Sequence, residues 1–328
     1  MKAIRFTLFA LYLILSCSTQ LFAQELVSVS AQNGDGIWSM LRRSGVEPTP
    51  ASVAEFKKMN QAVLKGRDAL HVGVTYQLPS TAQTYPIFGA EYATVAIKSS
   101  RLENHVYYIV GGHGGPDPGT LGNYRGKRIA EDEIAYDTAL RLARELISEG
   151  ATVHIVVQDP DDGIRDSSYL PADKDEVYLG DKRIVLNQAS RLRTRAKIIN
   201  ELFDSHRKTA LSQQVISLHV DSYGYTVEPQ VDVHFIVASK SGRELGETIR
   251  SAVERNYALH QPSRGYRGEI KSRDLMILRE TKPTAILIEL GNIRHPGDQH
   301  RLIKPENRQT LAEWIKDGLV DRALGLSV

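Results

Sequence analysis

Four side chains in this 328-residue sequence combine chemistry with position. His113 stands in Gly111-Gly112-His113-Gly114-Gly115-Pro116-Asp117-Pro118-Gly119, directly behind the apolar run 106–110. His219 falls near the end of the run 214–220, and Glu289 near the end of 284–290. Glu131 opens the strongly periodic segment 131–150. Two imidazoles and two carboxylates in such places could hold a metal ion and move protons. Catalytic zinc centres use three N or O ligands and keep a fourth position open for water. Zinc brings the pKa of that water toward ~7, and a neighbouring carboxylate can take and relay the proton. Each residue also has an ordinary reading. Glycines and prolines make a tight turn whatever residue they flank. Acids in the first turn of a helix are favoured by its dipole, and Glu131 shares that turn with Asp132 and Glu133.

The elements that must position these groups follow from periodicity. Short apolar runs at 106–110, 152–157, 214–220, 231–238 and 284–290 read as buried strands. Segments 131–150, 191–207, 242–259, 274–279 and 304–324 read as helices. Alternation of the two predicts an α/β fold: a mainly parallel twisted sheet with helices on both faces. Ligand sites in such sheets lie beyond the carboxyl ends of strands, where His113, His219 and Glu289 stand. Segment 91–98 alternates enough to be a strand pairing with 106–110. Segment 159–190 is long, charged and weakly periodic. It leaves a strand on the same edge, so it is either a solvated insertion or a lid or wall over the cleft. In the second case Tyr169, Leu170, Val177, Tyr178 and Leu179 supply its packing face, and Asp173, Asp175 and Glu176 approach the metal. His154, His234, His206 and His300 fit strand, helix or loop patterns and need no function.

Composition is ordinary for a globular protein, 41% hydrophobic and 24% charged, with a net charge of +2. No basic stripe with interleaved aromatics points to nucleic acid. Residues 1–24 read as a secretory signal peptide, with Lys2 and Arg5 ahead of a short apolar core. The single cysteine, Cys17, lies in that leader, so the remainder has no disulfide or thiolate ligand. A lipid-modified Cys17 is the second reading. No later stretch is apolar and long enough to span a membrane.

Residues 25–80 form a separate small unit. Gly34-Asp35-Gly36-Ile37-Trp38, Asn60 and Leu78-Pro79 resemble the LysM glycan-binding module, which implies a small α+β fold; the plain alternative is a structural βααβ domain. Residues 81–104 then make a linker and first strand, and 105–328 the main domain.

That main domain resembles the zinc-dependent N-acetylmuramoyl-L-alanine amidases. The resemblance rests on His113-Gly114-Gly115 with Asp117-Pro118-Gly119, Glu131-Asp132, Ile216-Ser217-Leu218-His219 and Ile286-Leu287-Ile288-Glu289, in the family's order. It implies that His113, Glu131 and His219 bind zinc, that Glu289 is the catalytic acid–base, and that the substrate is peptidoglycan. The bond cut would join N-acetylmuramic acid to the L-alanine of the stem peptide, outside the cytoplasm, in the periplasm or cell envelope. Asp117, Asp221 and Arg294 are candidates for substrate binding or for supporting the ligands. The chain departs from the family at Gln158-Asp159, where Thr-Arg is usual, and at Leu290-Gly291-Asn292-Ile293-Arg294-His295, after the glutamate. Two other functions stay open: a zinc peptidase acting within stem peptides, and an exported wall-binding protein without catalysis.

Overall fold

The computed structural model describes residues 28–44, 46, 48–79, 83–222 and 232–326. The expected leader 1–24, with Cys17, lies outside them. Residues 28–78 bring together β1 (Ser28–Ser30), α1 (Ile37–Arg43), α2 (Pro50–Met59), α3 (Gln61–Leu64) and β2 (Thr75–Gln77) around their own core of Met40, Leu41, Phe56, Tyr76 and Leu78. β1 and β2 pair antiparallel. Asn60 closes the unit: its Nδ2 donates to Phe56 O and Gln77 O, and its Oδ1 accepts from Gln77 N.

Next come β3 (Gln83–Thr84) and β4 (Thr94–Val95), which pair with each other. The expected strand 91–98 is therefore corrected. Only its centre is extended, and it does not reach 106–110, because both edges of that strand are occupied by other partners.

The large domain runs through β5 (His105–Gly111), β6 (Leu121–Tyr124), β7 (Lys127–Ala130), α4 (Glu131–Ser148), β8 (Thr152–Ile155), β9 (Val157–Gln158), β10 (Val177–Tyr178), β11 (Lys182–Arg183), α5 (Gln188–His206) and β12 (Ser212–Asp221). It continues with β13 (His234–Val237), α6 (Lys240–His260), β14 (Ile270–Ser272), α7 (Met276–Glu280), β15 (Thr284–Asn292), α8 (Pro296–Leu302) and α9 (Pro305–Ala323). Six strands form one sheet in the order β14-β13-β15-β12-β5-β8. All neighbours are parallel except β13 and β15, which are antiparallel. Side chains alternate between two cores, as a strand's period of two requires. Tyr107, Ile109, Ile216, Leu218, Ile286 and Ile288 share one core with residues of α4, α6 and α9. Val106, Tyr108, Val215, Ala285 and Leu287 share the other with residues of α5 and α7. Helices therefore cover both faces, as expected. No helix among the described residues is long and apolar enough to cross a membrane.

Segment 159–190 packs in part onto the domain, while 171–175, with Asp173 and Asp175, are exposed. Ile164, Leu170, Glu176, Tyr178 and Ile184 are buried, and β10 joins β9 and β11 in a small antiparallel sheet.

Candidate metal centre

His113, Glu131 and His219 meet at the carboxyl edge of the sheet. β5 and β12 run side by side and in parallel, so the turn after β5 and the end of β12 are neighbours. His113 sits in the left-handed region at φ 62°, a conformation that costs a non-glycine residue about 1–3 kcal/mol. The glycines around it make room. A methyl on Gly112 would lie 2.5 Å from the His219 ring, and one on Gly119 would lie 2.7 Å from Glu131 Oε2 and from the His113 ring. Glu131 is the first residue of α4, whose dipole favours a negative charge there. Its Oε1 lies 3.2 Å from His113 Nε2 and 3.1 Å from His219 Nδ1, and also accepts from Val220 N–H at 3.2 Å. Its Oε2 accepts from Thr120 N–H. The two imidazoles stand edge to face, 5.2 Å apart. The three residues offer ligand atoms within 4.8 Å of one another, a group that could hold a metal ion.

Neighbouring groups set the charge of this cluster. Burial pulls the His113 pKa down, but hydrogen bonds to Asp117 and Glu131 outweigh it and raise it to about 9. Burial pushes Glu131 up, yet its bonds to the two histidines hold it well below the usual carboxylate range. Burial lowers His219. Asp117, bonded to His113 Nδ1 at 2.9 Å, is brought down to about 2 by that contact against the opposing effect of burial.

Glu289 lies on β15 directly beside His219 of β12. Both side chains point to the same face, since the ladder is parallel and in register at that pair. Glu289 is 7% exposed and its Oε2 has no hydrogen-bond partner. Burial, then the charges of Asp221 and Glu131, push its pKa well above the ordinary value. Just past this pair β15 carries one extra residue against β12, the kind of irregularity that re-aims side chains beside sites.

Of the supporting candidates, Asp117 joins the cluster through His113. It also accepts from Gly119 N–H, so it forms the turn and orients the ring at once. Asp221 ends β12 and lies 3.2 Å from His234 Nε2. Arg294 lies in the turn after β15, where its backbone N–H donates to Asn292 Oδ1.

Three contributors escape sequence reasoning, and a fourth, Glu176, acts differently from what was expected. His234 reads as an ordinary strand histidine, but antiparallel β13 sets it opposite Glu289. Arg191 and Arg195, one turn apart on α5, are buried; they donate to Asp117 Oδ2 and to His113 O. Their spacing was the available signal, since i and i+4 fall on one helix face. Glu176 does not reach the three-residue group. Its Oε2 instead accepts from Gly115 N–H at 2.6 Å, bracing the turn that carries His113.

A family profile described as N-acetylmuramoyl-L-alanine amidase matches residues 108–321. The chain is 27% identical over 218 residues to the probable cell wall amidase LytH of Staphylococcus aureus, covering 66% of this chain and 58% of that protein. It thus spans less than two thirds of the length of that relative. Among solved structures it is similar to the N-acetylmuramoyl-L-alanine amidase from Clostridium difficile 630, with 21% identity, a TM-score of 0.49, and coverage of 68% of this chain and 98% of that one. It is also similar to the CwlD amidase from Clostridioides difficile, at 17% identity and a TM-score of 0.49, covering 68% and 99%.

Proposed function

From the premise that the chain belongs to the N-acetylmuramoyl-L-alanine amidase family, we propose that it hydrolyses the amide between N-acetylmuramic acid and L-alanine in peptidoglycan. His113, Glu131 and His219 would hold zinc, with Glu289 as the acid–base. The observation that carries this reading is the convergence of two imidazole nitrogens on one Glu131 oxygen, beside a buried carboxyl with an unpartnered oxygen. Two nitrogens and one oxygen without a thiol suit zinc. When bound, zinc supplies a Lewis acid that polarises the scissile carbonyl and acidifies water.

The chain's own groups do the rest. Asp117 fixes the His113 ring through Nδ1, leaving Nε2 as the ligand atom. Glu131 balances the charge of the centre. Glu289 receives a proton from the attacking water and returns it to the leaving nitrogen of L-alanine, which needs a carboxyl of raised pKa. Similarity to the probable cell wall amidase of S. aureus supports a place in the cell envelope. With 1–24 read as a signal peptide, the chain is exported to the envelope or periplasm. Residues 105–328 are the catalytic domain, and 25–80 a LysM-like glycan anchor. The β1–α1–α2–α3–β2 order and the closing role of Asn60 support that anchor.

Mass analysis of products from purified sacculi tests the activity. We expect free stem peptides beginning with L-alanine, lost on chelation and restored by zinc. Cuts inside the stem would instead establish the peptidase reading. Deleting 25–80 should weaken pull-down on sacculi while sparing cleavage of a soluble muropeptide.

A further inference from the structure

A second group of acids lies one step along the chain from Glu131. Asp132, Glu133 and Glu176 are all buried, and their carboxylates approach within 4.8 Å of one another. Two of them come from the first turn of α4 and the third from the segment just before β10. The hydrogen bonds leave them incompletely answered. Asp132 Oδ1 accepts from Glu133 N–H, but its Oδ2 has no partner. Glu133 Oε2 accepts from Arg165 Nη2 at 2.8 Å, but its Oε1 has none. Glu176 Oε2 accepts from Gly115 N–H. Asp132 and Glu133 are 1% and 2% exposed, so water does not reach them freely. A buried carboxylate oxygen without a donor is costly. Arg165 is the cation paired with one of the three, and it is shared with Asp162, while Arg195 acts on Glu176 and His113 on Asp132 from farther off. Only one of the three carboxylates has an ion pair, and two of their buried oxygens are left without a donor.

We propose that Asp132, Glu133 and Glu176 form a second cation site that takes a hard divalent ion, calcium by its chemistry. The donors are all oxygen, which suits calcium, magnesium or manganese and disfavours zinc. Calcium tolerates irregular oxygen shells, whereas magnesium demands near-octahedral geometry and gives up its water reluctantly. An irregular oxygen site built from two separate chain segments, with water completing the shell, matches the first. The ion would tie segment 159–187 to the start of α4, and through Glu176 and Gly115 steady the turn that carries His113. This site is separate from the His113–Glu131–His219 centre and does not depend on the activity proposed for it.

The test titrates calcium chloride into the full chain, loaded with zinc. We expect about one site per chain with a dissociation constant of order 10⁻⁴–10⁻³ M or tighter. The melting temperature should rise saturably by about 3 °C or more. Magnesium should bind at least about tenfold more weakly. Glu176→Gln and Asp132→Asn should each weaken calcium binding about tenfold or more while the far-ultraviolet circular dichroism, which a misfolded chain would not keep, stays the same. The absence of calcium binding by the unmodified chain would overturn the proposal and leave the carboxyls neutralised by protons. Undiminished binding in both variants would also overturn it. So would loss of binding only in Asp173→Asn with Asp175→Asn, which would move the ion to the nearby group of Asp159, Asp161, Asp173 and Asp175.

Discussion

Asp137, Arg141 and Arg308 are buried as deeply as Glu131 and Glu289, yet the two regions treat their charge differently. Asp137 Oδ2 accepts from Arg141 Nε at 2.8 Å and from Arg308 Nε at 2.5 Å, and its Oδ1 accepts from Arg165 N–H. Arg308 gives its remaining N–H groups to the carbonyls of Leu302, Ile303, Arg165 and Ser167. This network joins α4, α9 and the start of segment 159–190. The candidate metal centre has the opposite character. His113 holds a strained backbone, two imidazoles share one Glu131 oxygen, and Glu289 Oε2 has no partner. Satisfied buried charge holds walls in place, while incompletely satisfied buried charge marks where a ligand and a proton are to be received.

The sharpest way to break this contrast is to remove groups from the centre. On the proposed roles Glu289→Gln would take away the acid–base and no ligand, so we expect turnover to fall by about 10²–10⁴ with zinc content unchanged. His113→Ala should lose zinc as well as activity. Both should stay folded, because neither residue carries a wall. Normal hydrolysis of sacculi by Glu289→Gln would break the assignment. In the other region the outcome reverses. Arg308→Ala leaves Asp137 buried with one guanidinium fewer, and should cost about 3–5 kcal/mol in denaturant unfolding. A variant of normal stability would show that the network is not structural.

The contrast also explains what was legible in the sequence. The strands carrying His113, His219 and Glu289 are apolar runs buried on both faces, so their position and shared edge could be read. The direction of β13 could not, because an apolar run reads the same in both senses. Its reversal alone places His234 opposite Glu289. The hairpin β6–β7, the edge strand β14 and the helix α8 are short or polar and give no periodic signal. Segment 91–98 misled through its alternation, since periodicity says nothing about which edge is already taken. Helical spacing exposed a buried face on α5, but not that Arg191 and Arg195 would reach the turn around His113.

A smaller change sharpens the comparison inside the centre itself. Asp117→Asn keeps the turn-forming geometry but removes the charge behind His113. Partners that orient a metal-bound imidazole typically contribute 10–100-fold in affinity. We expect a loss of about that size in zinc competition assays, with a fall in the unfolding midpoint of the metal-free protein at pH 9.5, where His113 has lost most of its charge, that reflects only the lost Arg191 contact and is smaller than that of Arg308→Ala. A fall in stability there equal to that of Arg308→Ala would class Asp117 with the wall residues.

The smallest effect is a dependence on pH, and its sign separates the two states of the centre. Without metal, His113 has a pKa of about 9 against a reference of 6.5, because its bonds to Asp117 and Glu131 outweigh burial. Below pH 6.5 the imidazole is protonated both folded and unfolded, and its ion pairs contribute in full. Between 6.5 and 9 the folded chain keeps a proton that the unfolded chain has released. The contribution therefore shrinks across that window and is gone above it. The metal-free protein should lose stability as pH rises from 6.5 to 9. Zinc reverses the trend, because Nε2 must be deprotonated to serve as a ligand and the proton competes with the metal. His219, whose pKa is lowered by burial, adds no competing proton in this window. Affinity should thus rise by about tenfold per pH unit toward pH 9 and then level off. Competition with a chelator at pH 6.5, 7.5 and 8.5 measures the slope, and calorimetry in buffers of different ionisation enthalpy counts the released proton. A flat affinity across this range, with no proton released, would mean that His113 is already neutral and that Asp117 and Glu131 do not hold its charge.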